Sequence, residues 1–245
     1  MPTLLPWLTL TSAAIAIAAF SGALPLWLAF VFKPLTTVLV IAHAWPRGAD
    51  APRRRRLIRI GLCLSLLGDV FLLWPAQGFL PGLVSFLLAH IAYIAAFCVP
   101  LRFAARPAAF VVYAARPAAF VVYAARPAAF VVYAALATAI LWQLWPGIPG
   151  ALRVPVLAYV LCLAGMAAQA AAWWRASVGR PDERLARNAA LGGLLFMLSD
   201  SLLAFNKFAA PLPLSSLWIL ATYWAAQWCI ANSLRGKPSD AAPSR

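Results

Sequence analysis

Eight long apolar runs, separated by short polar or proline-containing interruptions, make up most of the chain. They fall at about residues 4–22, 25–45, 57–74, 79–100, 127–145, 153–174, 189–209 and 214–234. Each is close to the roughly 20 residues that cross a bilayer as a helix. Helices satisfy their own backbone hydrogen bonds in lipid, whereas a barrel would need short alternating strands, and none is visible. The pattern predicts an all-α, polytopic membrane protein with eight transmembrane helices in one domain.

Polar residues are sparse inside these runs, and they recur at helical spacing. Residues three, four or seven apart share a helix face. Lys33, Thr36 and Thr37 share one in the second run, Ser65 and Asp69 in the third, and His90 and Tyr93 in the fourth. Asp200 and Lys207 do so in the seventh, Tyr223 and Gln227 in the eighth. Asp69 and Asp200 are two of only six acidic residues. A charged group at membrane depth costs at least about 2.5–3.5 kcal/mol, so such residues usually face a cavity, a partner or a substrate. Asp69 lies about 7–8 Å from the outer end of its helix at 1.5 Å per residue. Asp200 and His90 lie nearer mid-membrane, and Lys33 and Lys207 lie near the outer ends of theirs. The set is expected to line one cavity opening outward.

Each group also has a structural alternative. The aspartates, Tyr223 and Gln227 could serve as interhelical hydrogen-bonding groups. His90 could be a neutral imidazole bonded to Tyr93, and the two lysines could be interfacial snorkels. His90 is the single histidine of the polar set, and a catalytic zinc wants three protein ligands, so neither metal nor cofactor is expected. No G-x-S-x-G elbow, phosphate-binding loop or H-E-x-x-H is present.

The composition agrees with a membrane solvent: 64% of the 245 residues are hydrophobic and 11% charged, with a mean hydropathy of +0.86. The net charge of +14 would suit nucleic acid were it spread over one face. Instead 17 of the 20 basic residues sit on alternate connections and the C-terminal tail, leaving Lys33, Arg153 and Lys207 for the other side. The positive-inside rule then places both termini and the Arg-rich loops in the cytoplasm and explains the charge without nucleic acid. A bacterial inner membrane is the expected location. Trp45, Trp74, Trp142, Trp145, Trp173, Trp174 and Trp218 fall near run ends as interfacial anchors do. Cys63, Cys98, Cys162 and Cys229 are isolated and read as small hydrophobes. Ser21-Gly22-Ala23 faintly resembles a signal cleavage site, but no basic residue precedes the first run, which reads as a retained helix.

Residues 104–133 are three identical copies of AARPAAFVVY. Proline is best tolerated in the first turn of a helix, so Pro127 of the third copy is expected to open the fifth span. The other two copies are too short for two further spans, and one further span would break the charge alternation. They are expected to stay on the cytoplasmic side, as a kinked extension of the fifth helix or a segment in the interface.

Five segments carry a family resemblance: VFKPLTT at 31–37, SLLGDVFLL at 65–73, FLLAHIAYIAAF at 86–97, GGLLFMLSDSLLAFNKF at 192–208 and ATYWAAQ at 221–227. In this order they resemble the signatures of the YhhN-like family of membrane lysoplasmalogenases, over about residues 25–234. The repeat at 104–123 departs from that pattern and touches none of the signatures. The resemblance implies hydrolysis of the vinyl ether bond of a lysophospholipid in the bilayer, releasing a fatty aldehyde and a glycerophospho-alcohol. The matching polar positions are Lys33, Asp69, His90, Tyr93, Asp200, Asn206, Lys207, Tyr223 and Gln227. An enol ether hydrolyses by protonation of its β-carbon, and the resulting oxocarbenium ion captures water. That chemistry needs a protonated acid and a nearby negative charge, expected of Asp69 and Asp200 in one order or the other. Lys33 and Lys207 are expected to hold the lipid phosphate. A proton-coupled transporter or lipid-handling protein would use the same carboxylates, while a purely structural protein would tolerate their loss.

Overall fold

The computed structural model describes residues 4–74, 76–101 and 117–236, with the side chains of 117–126 left out. Eight α-helices form among the described residues: α1 (Leu5–Phe20), α2 (Trp27–Ala44), α3 (Pro52–Phe71), α4 (Phe79–Phe97), α5 (Pro117–Leu144), α6 (Gly150–Ser177), α7 (Glu183–Phe208) and α8 (Ser215–Ala231). A short 3-10 turn, Trp145–Gly147, follows α5. α2, α4, the part of α5 from Pro127, α6 and α7 are long and apolar enough to cross a membrane, and α1 is apolar but shorter.

Each apolar run contains one helix, and the differences lie at the polar ends. α3 begins at Pro52, five residues before its apolar run. Proline suits the first turn, and arginine is a good helix former, so Arg53–Arg56 extend the helix although hydropathy alone would end it. α6 and α7 run on into polar sequence in the same way, to Ser177 and from Glu183. In α5 the described helix starts at Pro117, the proline of the second repeat copy, and carries Pro127 inside it. The expectation for the first copy falls on residues 104–113, outside those described.

Short connections make successive helices antiparallel neighbours within α1–α4 and within α5–α8. α1 packs on α2, α2 on α3, and α3 on α4; α5, α6, α7 and α8 continue the series, with α4 against α6. α8 returns to α1 and α2 and closes the bundle. The large buried side chains Trp173, Phe97, Phe196 and Tyr93 fill its centre. At the Arg-rich end, Gly48 turns the chain between α2 and α3 at φ +73° and donates its N–H to the Arg235 carbonyl at 2.8 Å, tying the end of α8 to that turn. The indole of Trp173 donates to Asp182 at 3.2 Å, bracing the α6–α7 connection.

Gly193 sets the approach of α7 to α6: a Cβ there would lie 2.9 Å from the Ala167 Cα. That neighbour is backbone and cannot rotate away. Gly193→Ala is therefore expected to destabilise the protein by about 1–3 kcal/mol, the usual cost of overpacking. Thermal unfolding in detergent checks this, and an unchanged midpoint would contradict it.

Candidate active site

The helices part at the end of the bundle opposite the Arg-rich end, around a cavity of about 390 Å³. The ends of α1, α3, α5 and α7 and the starts of α2, α4, α6 and α8 frame it. That alternation follows from the antiparallel order. Leu72, Leu83, Phe86, Ile140 and Val160 are among the side chains that make its walls mainly apolar, and Lys33, Asp69, Asp200, Asn206, Lys207 and Tyr223 supply polar groups. Six of the nine expected site residues thus face one space.

Asp69, on the last turns of α3, is 2% exposed. Its Oδ2 accepts hydrogen bonds from Thr37 Oγ1 at 2.6 Å and Tyr223 OH at 2.8 Å. The Lys33 ammonium lies 3.9 Å from its Oδ1. Thr37 is fixed in turn by the Trp224 indole, which donates to its oxygen at 3.2 Å. Lys33 and Thr37 are one helical turn apart on α2, so a single face of that helix delivers a cation and a hydroxyl to the carboxylate. Pro34, inside α2, removes one backbone hydrogen bond beside this face. Lys33 is buried against Asp69, 5% exposed, and its environment is that of a paired cation rather than a snorkel.

Tyr93 and Gln227 do not line the cavity; they support it. Tyr93 OH donates to Gln227 Oε1 at 2.8 Å, and Gln227 Nε2 donates to Tyr223 OH at 3.3 Å. Together with Tyr223 and Asp69 they form one line of hydrogen bonds through α4, α8 and α3. His90 is fully buried behind the cavity, with its ring edge-on to Phe196 and Tyr159 at centroid distances of 4.6 and 5.2 Å. Neither ring nitrogen has a hydrogen-bond partner among the described residues. The bond to Tyr93 that the spacing allows is not made, because the Tyr93 hydroxyl is directed to Gln227.

Asp200, on α7, has a simpler environment. The Tyr159 hydroxyl of α6 donates to its Oδ2, and no cation pairs with it among the described residues. Asn206 Oδ1 accepts the Leu212 N–H at 2.8 Å and so holds the connection from α7 to α8. Lys207 is exposed, with its ammonium 4.1 Å from the centre of the Phe79 ring, a cation–π contact.

Sequence reasoning missed Tyr159. It stands alone in an apolar stretch of α6, with Cys162 and Leu163 as its helical neighbours. Its sole signal was a hydroxyl that must find a partner when buried.

The fold and the cavity define a helical integral membrane protein with carboxylates facing an apolar pocket. The YhhN family model matches residues 28–234, and the chain belongs to that family. It is 33% identical over 219 residues to the pig protein named lysoplasmalogenase TMEM86B, covering 87% of this chain and 78% of that one. It is 30% identical over 220 residues to the bovine lysoplasmalogenase TMEM86A, covering 85% and 79%. The human lysoplasmalogenase TMEM86B is 31% identical over 218 residues, covering 86% and 77%. No solved structure matches.

Proposed function

We propose that this protein is a lysoplasmalogenase: it hydrolyses the vinyl ether bond of a lysophospholipid held in the cavity. The observation that carries the reading is the pair of carboxylates with different partners in one mainly apolar space. Asp69 receives two hydroxyl donors and an ammonium, a setting that suits a carboxylate. Asp200 receives one hydroxyl and no cation, a setting in which a carboxyl can carry the proton. Asp200 is then the general acid, protonating the β-carbon of the enol ether, and Asp69 offsets the charge of the oxocarbenium ion. Water adds to that ion and gives up its proton to the Asp200 carboxylate, which restores the acid, and the hemiacetal collapses to fatty aldehyde and glycerophospho-alcohol.

Lys207, at the mouth, is assigned to the lipid phosphate, while Lys33 serves Asp69. In this reading all eight helices cross the membrane, and both termini and the Arg-rich loops share the cytoplasmic side. The 17 basic residues on alternate connections and the tail support that orientation. The names of the relatives support the substrate class.

Purified protein given a vinyl-ether lysolipid is expected to release fatty aldehyde, and the matched alkyl-ether lysolipid is expected to remain intact. Failure to release aldehyde, combined with proton-dependent uptake into vesicles, would replace the enzyme with a transporter.

A further inference from the structure

A second concave surface lies at the opposite end of the bundle, on the outer face of α3 beside the end of α2. Arg56, Ile60, Cys63 and Leu67 recur there at three- and four-residue steps and are all exposed, forming one stripe with a basic head and an apolar body. From Arg56 to Leu67 it runs about 16 Å at 1.5 Å per residue. The guanidinium of Arg59 stacks on the Trp45 ring with its centre 4.2 Å from the centroid. Both Arg55, at 3.2 Å, and Arg59 donate to the Trp45 carbonyl, at the C-terminal end of α2.

These contacts use few of the five N–H donors on each guanidinium. Among the described residues no carboxylate pairs with Arg55, Arg56 or Arg59; nearby Asp50 is paired with Arg235 at 3.5 Å. A topological excess of arginine requires only charge near the membrane surface. It does not require guanidiniums fixed around one carbonyl above an apolar channel. The charge selects an anion, and the channel selects an anion that carries a hydrocarbon chain.

We propose that this groove binds one anionic phospholipid of the surrounding leaflet, its phosphate on Arg55, Arg56 and Arg59 and an acyl chain along Ile60, Cys63 and Leu67. Arginine presents a planar fork of donors that matches phosphate oxygens. The site is separate from the cavity that holds Asp69 and Asp200, and it does not depend on the reaction assigned there.

The test uses the full chain in neutral detergent, titrated with phosphatidylglycerol, phosphatidylcholine of the same chains, or inorganic phosphate, and followed by thermal unfolding. Phosphatidylglycerol is expected to raise the midpoint saturably; the other two are expected to leave it unchanged. Combined Arg55→Gln, Arg56→Gln and Arg59→Gln should weaken the apparent affinity at least about tenfold, since each basic residue beside an anionic headgroup adds to its attraction. Combined Arg175→Gln, Arg180→Gln and Arg187→Gln, exposed at the α6–α7 connection, should leave it unchanged. Ile60→Trp fills the channel on an exposed face without altering charge and should also weaken binding, which keeps the test intact if the triple variant does not fold. Equal losses in the two arginine sets would overturn the proposal, as would stabilisation by inorganic phosphate or undiminished binding in Ile60→Trp.

Discussion

Asp200→Asn is expected to reduce aldehyde release about 10²–10⁴-fold, the usual contribution of a positioned general acid. Asparagine preserves the shape of the side chain and can still accept the Tyr159 hydroxyl, so the cavity should stay intact. What it removes is an acidic proton. Asp69→Asn should also depress the rate, but through loss of the charge facing the cation. Tyr159→Phe separates the two roles. It deletes the hydroxyl that orients Asp200 and is expected to slow turnover about 2–10-fold, equivalent to the roughly 0.5–1.5 kcal/mol of a hydrogen bond between neutral groups. Rates measured on folded, purified variants check all three. Parent-like turnover in Asp200→Asn would remove Asp200 from the chemistry and leave the family membership untouched.

Much of this arrangement was legible in the sequence because membrane burial makes polar residues conspicuous. Asp69, Asp200 and Lys33 each stood out against an apolar background, and helical spacing linked Lys33 with Thr37 and Tyr223 with Gln227. Spacing works along one helix, however, and the pairs that define the site run between helices. Nothing in α2 or α3 alone says that Lys33 meets Asp69; their packing brings the ammonium inward from the rim where depth alone placed it. Tyr159 was concealed for a related reason. Its ring belongs in an apolar helix, and its hydroxyl acquires meaning only when α6 packs on α7 and meets Asp200. His90 went the other way: its neighbour Tyr93 is one turn along α4, yet the tyrosine hydroxyl points to α8 and leaves the imidazole among aromatic rings. At Arg53–Arg56 the helix continues into charge where hydropathy alone would end it, since hydropathy measures the solvent of a residue and not its backbone.

Lys33→Met is the stability counterpart. Removing one partner from a buried ion pair leaves the other charge uncompensated and typically costs about 3–5 kcal/mol. Here Asp69 would retain Thr37 and Tyr223 as hydrogen-bond donors, so the loss should fall toward the lower part of that range. Asp69→Leu should be costly as well, because it strands the ammonium of a lysine that is 5% exposed. The combination Lys33→Met with Asp69→Leu removes both charges and fills the space with apolar atoms. It is expected to recover much of the stability lost in either single variant, because a well-packed apolar replacement of a buried pair is often neutral or better. It should remain without turnover, since the carboxylate assigned to the oxocarbenium ion is gone. Denaturation in mixed micelles gives the coupling between the two positions as the departure from additivity. Additive losses would mean that the 3.9 Å approach of Lys33 to Asp69 carries no energetic coupling, and would return Lys33 to the role of phosphate ligand.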